Sequence, residues 1–472
     1  MISNSKMQTG ALFGRRAVSV FPRAIESGAA AGASHSIAFA GLFVFTFLLY
    51  ARPQELLPQI FGDLPLGKII AIGTLVAYAI GKLRAGERFT ICPLEMLMLA
   101  TIVALGIVLV PIAREPQHSI DLLTDTFFKV ITIFILMVNL ITTRQRLHSI
   151  MRLVVLCGVL LALVTIARFL TGNLDVSHVS KELQPSVNGN TFDNTNELAL
   201  TLDLLLPFAV IFAVTRRGIV RLGYAVAAAI IAMGAVITFS RGGFLGLISL
   251  GAVLLWKLCR GRRGTMALAA IVMTVVFMFV MPSGYRERVF TIFSPADDPT
   301  NSAQERQEIL GRGLEVALHH PIAGVGLANF VEYSIKGKVA HNSYVEIAAE
   351  LGWAGLLAYF VFLLAPFRSL KSIERETLED DRKKNRDQSE QRELYFLSVG
   401  LQAVMIAFLV CSLFSSSQYF WHPYYIVGYA IALRRIHAAH TAKETTTSEP
   451  EEDSAPGALF RKRPGARKGV LV

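Results

Sequence analysis

Long apolar runs recur along the chain, and charged residues fall almost wholly in the gaps between them. Each run is close to the roughly 20 residues that a helix needs to cross the hydrocarbon core of a bilayer. Membrane β-strands would instead read as alternating segments of about ten residues, and none of the long runs alternates. The pattern predicts an all-α integral membrane fold of about twelve transmembrane helices, over residues 36–51, 66–82, 93–112, 122–141, 150–170, 197–214, 219–238, 242–258, 265–282, 343–366, 394–415 and 419–434. The first run has no convincing cleavage site after its apolar core, so it reads as an anchor and not as a removed signal peptide. One gap is longer than the rest. Within it, from Ala303 to His319, Ile309, Leu310, Leu314 and Leu318 recur at helical spacing, which predicts a short amphipathic helix on the membrane surface, ended by Pro321, Gly324 and Gly326.

The gaps also set an orientation. With the N-terminal "GRRAVSVFPR" inside, "GKLRAGER", "TTRQRLHSIMR", "TRRGIVR", "KLCRGRRG", "FRSLKSIERETLEDDRKKNRDQSEQR" and "RRIHAAH" all fall on the cytoplasmic side. The alternate short loops, such as "PIAREPQHS" and "SSSQYFWHP", hold one Arg or none. Both termini are expected in the cytoplasm. The implied organisation is a cytoplasmic segment 1–35, spans one to nine over 36–282, a periplasmic loop 283–341, spans ten to twelve over 342–435 with a cytoplasmic loop 369–393, and a disordered cytoplasmic tail 436–472.

Composition sharpens this picture only in part. Hydrophobic residues make up 53% of the 472, and the formal charge of +11 would suit nucleic acid, but the Lys and Arg sit beside apolar runs as loop charges do. Cys92, Cys157, Cys259 and Cys411 lie in or beside apolar runs without metal-type spacing and read as small apolar residues. No metal or cofactor site is expected. "GDLPLGKI" (Gly62 to Ile69) has a P-loop's glycine and lysine spacing, but Ile69 replaces the metal-binding hydroxyl and no strand precedes it. "GVGLAN" (Gly324 to Asn329) lacks the third glycine of a dinucleotide fingerprint.

Polar chemistry gathers on the outer face. Arg241, in the short turn "TFSRGGFLG", reads either as a snorkelling side chain or as part of an anion site, with Ser240, Gly242 and Gly243 permitting close backbone approach. Arg306 and Arg312 lie on the amphipathic helix, where a solvated Arg is the ordinary case. Ser343 and Glu346 fit a capping box at the start of the tenth span. His341 just precedes that helix, and is either a base able to titrate near neutral pH or an inert interfacial imidazole; His319 and His320 are its rivals.

"SRGG", then "S..ER......GL..AL.HPI.GVGL.NF", then "HNSYVEIAAELGWAG" resemble, in order and spacing, the signature region of the O-antigen ligase and Wzy-type polymerase superfamily, over roughly residues 194–360. The resemblance implies a bacterial inner-membrane glycosyltransferase that needs no metal. It would transfer or polymerise glycan from a polyprenyl (undecaprenyl) diphosphate donor onto an acceptor sugar hydroxyl on the periplasmic side, in O-antigen or exopolysaccharide synthesis. Arg241 and Arg306 match arginines that bind the diphosphate and His341 the catalytic histidine, with Ser240, Asn342 and Glu346 in support. The expected partners are the lipid-linked glycan, an acceptor glycan or glycolipid, membrane lipid, and chain-length or export proteins. The short outer loop and the long charged loop before the eleventh span depart from the best-known ligases and leave the acceptor open. The alternative is a small-anion transporter resembling bicarbonate carriers. Such proteins bind near the bilayer midplane, whereas Glu95, Asp125 and Asp203 read as lying mostly near span ends.

Overall fold

A computed structural model describes residues 35–53, 58–61, 65–171, 195–259, 264–265, 268, 271, 302–382 and 388–448. They form helices α1 (Ser36–Ala51), α2 (Leu66–Ala85), α3 (Leu94–Val108), α4 (Phe128–Leu140), α5 (Arg144–Leu170), α6 (Thr195–Thr215), α7 (Gly218–Ile237), α8 (Arg241–Leu258), α9 (Ser302–His319), α10 (Ser343–Arg382), α11 (Gln388–Cys411) and α12 (His422–Ser448), joined in places by shorter turns, with no strand among the described residues. Eight of the described helices are long and apolar enough to cross a membrane. Of the other expected spans, α1 is shorter, 122–141 divides into a π-turn (Leu122–Phe127) and α4, α12 carries too much polar sequence for that criterion, and 265–282 lies mostly outside the described residues.

The bundle is apolar outside as well as inside. On α2, Ala71, Thr74 and Tyr78 are buried while Ile69, Ile72, Val76 and Ile80 face outward. An outward face of that composition, repeated on neighbouring helices, is at home in hydrocarbon and would be a liability in water. Close helix approaches are made at small residues: a side chain at Gly234 would meet Ala162, and one at Gly400 would meet Ile211.

Charged loops sort to two ends. At one, Arg144 pairs with Glu390 and Glu393, Arg216 with Glu393, Lys257 with Glu374, His440 with Glu390 and Arg434 with Glu95. These residues lie in or beside the segments that read as cytoplasmic. The other end gathers the loops around 110–121, 240, 321–342 and 412–418. α10 and α11 continue well into the charged stretch expected as loop 369–393, and α12 runs past the last apolar residues to Ser448. Asp203 corrects a sequence reading: it sits near the middle of α6, fully buried, and neither carboxylate oxygen has a hydrogen-bond partner among the described residues.

Candidate functional site

The site is built around an interruption in α10. At Gly352 the backbone takes φ 68° and ψ −173°, a conformation open essentially to glycine alone, so Ser343–Leu351 is a short half-helix followed by a longer one. A break of this kind frees backbone groups that must be satisfied elsewhere. The segment after α9 supplies the partners: Val325 N donates to Ala349 O (2.9 Å), Gly326 N to Glu350 O (3.0 Å), and Trp353 N to Pro321 O (2.9 Å). Gly324, at φ 63°, comes so close that a Cβ there would lie 2.3 Å from the Glu350 carbonyl. "HPIAGVGLAN" is therefore a plug for the helix break. Asn329, in the position that spoils a dinucleotide fingerprint, anchors the plug by bonding the backbone of Glu115 and the Ser119 hydroxyl.

The half-helix explains its own acids. Glu350 accepts from Phe330 N (3.2 Å) and from the Tyr419 hydroxyl (2.6 Å). Glu346 accepts from Ala340 N (2.8 Å), Gln418 Nε2 (2.8 Å) and the Ser416 hydroxyl. The expected Ser343 capping box is not formed. Asn342 is the cap, its Oδ1 accepting from Tyr344 N (3.0 Å) and Val345 N (3.1 Å), because Ser343 lies inside the helix and turns its hydroxyl to Ser415 O (2.7 Å). Gln418, Ser416 and Tyr419 were not singled out by sequence. Their only signal was an uncharged polar cluster, "SSSQY", between two apolar runs.

His341 stands at the mouth of this half-helix, half-buried, with a left-handed backbone (φ 51°). Burial pushes its imidazole down to about 3; the charges of Arg306 and Lys338 push the same way and Glu305 opposes them. The ring is neutral at physiological pH and able to accept a proton. Arg306 comes from α9, which packs on α10 through Ile309, Val316 and Ala317 against Phe330, Ala348 and Ala349. The buried stripe thus differs from the expected one: Ile309 is inward, whereas Leu314 and Leu318 are exposed. Glu305 next to Arg306 is held below the usual carboxylate range by the ammonium of Lys338 and, after it, that of Lys336. Arg312 is spoken for, donating to Tyr333 O (2.8 Å) and pairing with Glu315. His319 and His320 are exposed at the far end of α9.

Arg241 opens α8, whose cap is Ser240: its hydroxyl accepts from Gly243 N (3.1 Å) and donates to Asn196 Oδ1 (2.7 Å). The first turn of α8 lies against Cys411, Phe414 and Ser415. The same segment bonds the start of α10, with Ser343 N donating to Ser412 O (2.9 Å) and Asn342 Nδ2 to Leu413 O (3.2 Å). Arg306 is therefore an electrostatic neighbour of His341, and the Arg241 turn joins them through the 411–415 segment.

Fold and site define a polytopic helical membrane protein with cationic side chains and an imidazole brought together by loops at one end of its bundle. Residues 204–360 match the family model Wzy_C, described as O-antigen ligase. Ser240, Arg241, Arg306, His341, Asn342 and Glu346 all fall within the matched stretch. No curated protein matches the chain.

Proposed function

We propose that the protein transfers or polymerises glycan from a polyprenyl diphosphate donor onto an acceptor sugar hydroxyl, outside the cytoplasmic membrane and without a metal. The observation that carries this reading is the pairing of a neutral imidazole at a helix mouth with an adjacent guanidinium. The acceptor oxygen attacks the anomeric carbon of the donor as its proton passes to His341. The bond from that carbon to the diphosphate oxygen breaks, and the polyprenyl diphosphate leaves carrying the electron pair. Arg306 and Arg241 stabilise the charge on the leaving diphosphate; guanidinium forks meet phosphate oxygens two at a time and stay charged beside lipid. Binding the dianion beside Arg306 also offsets the charge that depresses His341, so the base gains strength when the donor is present.

Replacing Arg241 or Arg306 by Ala is expected to abolish product while the protein stays in the membrane, and Lys at either position to rescue poorly because it lacks the fork. Quantifying polysaccharide and membrane-bound protein in a strain carrying each variant tests this. Full product from the double Ala variant would overturn the diphosphate assignment.

A further inference from the structure

At the end of the bundle opposite His341, the start of α5 and the turn between α6 and α7 form an open cavity of about 510 Å³ lined by Arg144, His148, Arg152, Arg216, Val220 and Tyr224, with Gln145. Two carboxylates serve this cluster. Arg144 is held by Glu390 and Glu393, Arg216 NH2 lies 3.0 Å from Glu393, and His148 Nε2 lies 3.1 Å from the same group. Arg152 makes only local bonds, to His148 O (3.3 Å) and the Ser149 hydroxyl (3.3 Å), and has no carboxylate partner among the described residues. The lining is therefore net positive, and Arg217, which caps α7, and Arg221 in its first turn follow.

Below the charged mouth the surroundings are apolar. Val220 and Val226 on α7 and Leu156, Leu160 and Leu163 on α5 are exposed, and these two helices pack against each other. A cationic cavity at a span end, continuous with outward apolar faces, is shaped for an amphiphile. We propose that it binds the phosphate of an anionic glycerophospholipid headgroup, with the acyl chains lying along α5 and α7. Basic pockets between transmembrane helices take such headgroups, and the guanidinium is the side chain best suited to phosphate oxygens at an interface. The site lies at the other end of the bundle from the proposed glycosyl transfer and does not depend on that reading.

Native mass spectrometry of the purified full chain, titrated with phosphatidylglycerol, phosphatidylcholine of the same acyl chains, or inorganic phosphate, tests this. Phosphatidylglycerol is expected to bind saturably and more tightly than either alternative. Arg152→Gln, which breaks no ion pair, should weaken it about fivefold, the loss of one interfacial charge. Arg375→Gln, an exposed arginine outside the cavity, should bind as wild type does. Equal binding of the two lipids by the wild-type protein overturns the proposal whatever the variants do. So does unchanged phosphatidylglycerol binding by Arg152→Gln. Inorganic phosphate binding as tightly as phosphatidylglycerol would assign the cavity to a free anion and overturn the lipid assignment.

Discussion

Glu346 receives three donors, from Ala340, Ser416 and Gln418, and through the first it fixes the backbone next to His341. Gln418 has a second amide atom, Oε1, buried without a partner among the described residues, so its amide can turn over to accept from a glutamine at 346. Glu346→Gln is therefore expected to keep most activity. Glu346→Ala strands buried donors at about 1–3 kcal/mol each and should lower both the melting temperature and product formation. A thermal melt beside a product assay checks the pair, and indistinguishable Gln and Ala variants would remove the acid's role in holding the turn. Sequence placed an acid at this position but misread its partner. A serine three residues before a glutamate satisfies the capping pattern, and nothing local reveals that Asn342 already caps the helix or that the acid's partners lie some 70 residues away.

At the scale of elements, the run from Ser343 to Phe360 reads as one continuous helix because periodicity is blind to a single backbone reversal. The glycine of "ELGWAG" was legible as a residue, but its φ of 68° was not. Adding a Cβ at Gly352 would put it 2.5 Å from the Ile322 carbonyl oxygen, in backbone geometry that costs about 1–3 kcal/mol for any other residue. Gly352→Ala is thus expected to loosen the plug formed by residues 321–330 and to raise amide exchange or proteolysis there ahead of the rest of the bundle. An unchanged exchange pattern would contradict the plug. The α9 stripe is legible at the correct spacing, but which of its members pack inward is not, since Leu314 and Leu318 fit a helical repeat as well as Ile309, Val316 and Ala317 do. Only the packing of α9 on α10 separates them.

For the whole molecule, hydropathy and loop charge carried most of the architecture because lipid enforces helices and sorts Lys and Arg. The described parts of the segments grouped by charge gather at one end and the predicted site loops at the other, while the N-terminal "GRRAVSVFPR" lies outside the described residues. The side each end faces is tested by cysteine accessibility, with Cys92 and Cys259 replaced. Lys336→Cys, exposed at the site end, should react with an impermeant maleimide in intact cells, whereas Arg375→Cys at the other end should react only after permeabilisation. The opposite pattern would place the site in the cytoplasm and remove the proposed function.

The central claim is that His341 takes the acceptor proton, and purified protein assayed with a polyprenyl diphosphate glycan and an acceptor glycan tests it most directly. Asparagine is the informative replacement, because it tolerates the left-handed backbone that alanine would strain, yet offers no base. His341→Asn is expected to fold and to retain the donor while transfer falls by about 10²–10⁴-fold, the usual worth of a positioned base. Transfer at the wild-type rate by His341→Asn would contradict the account.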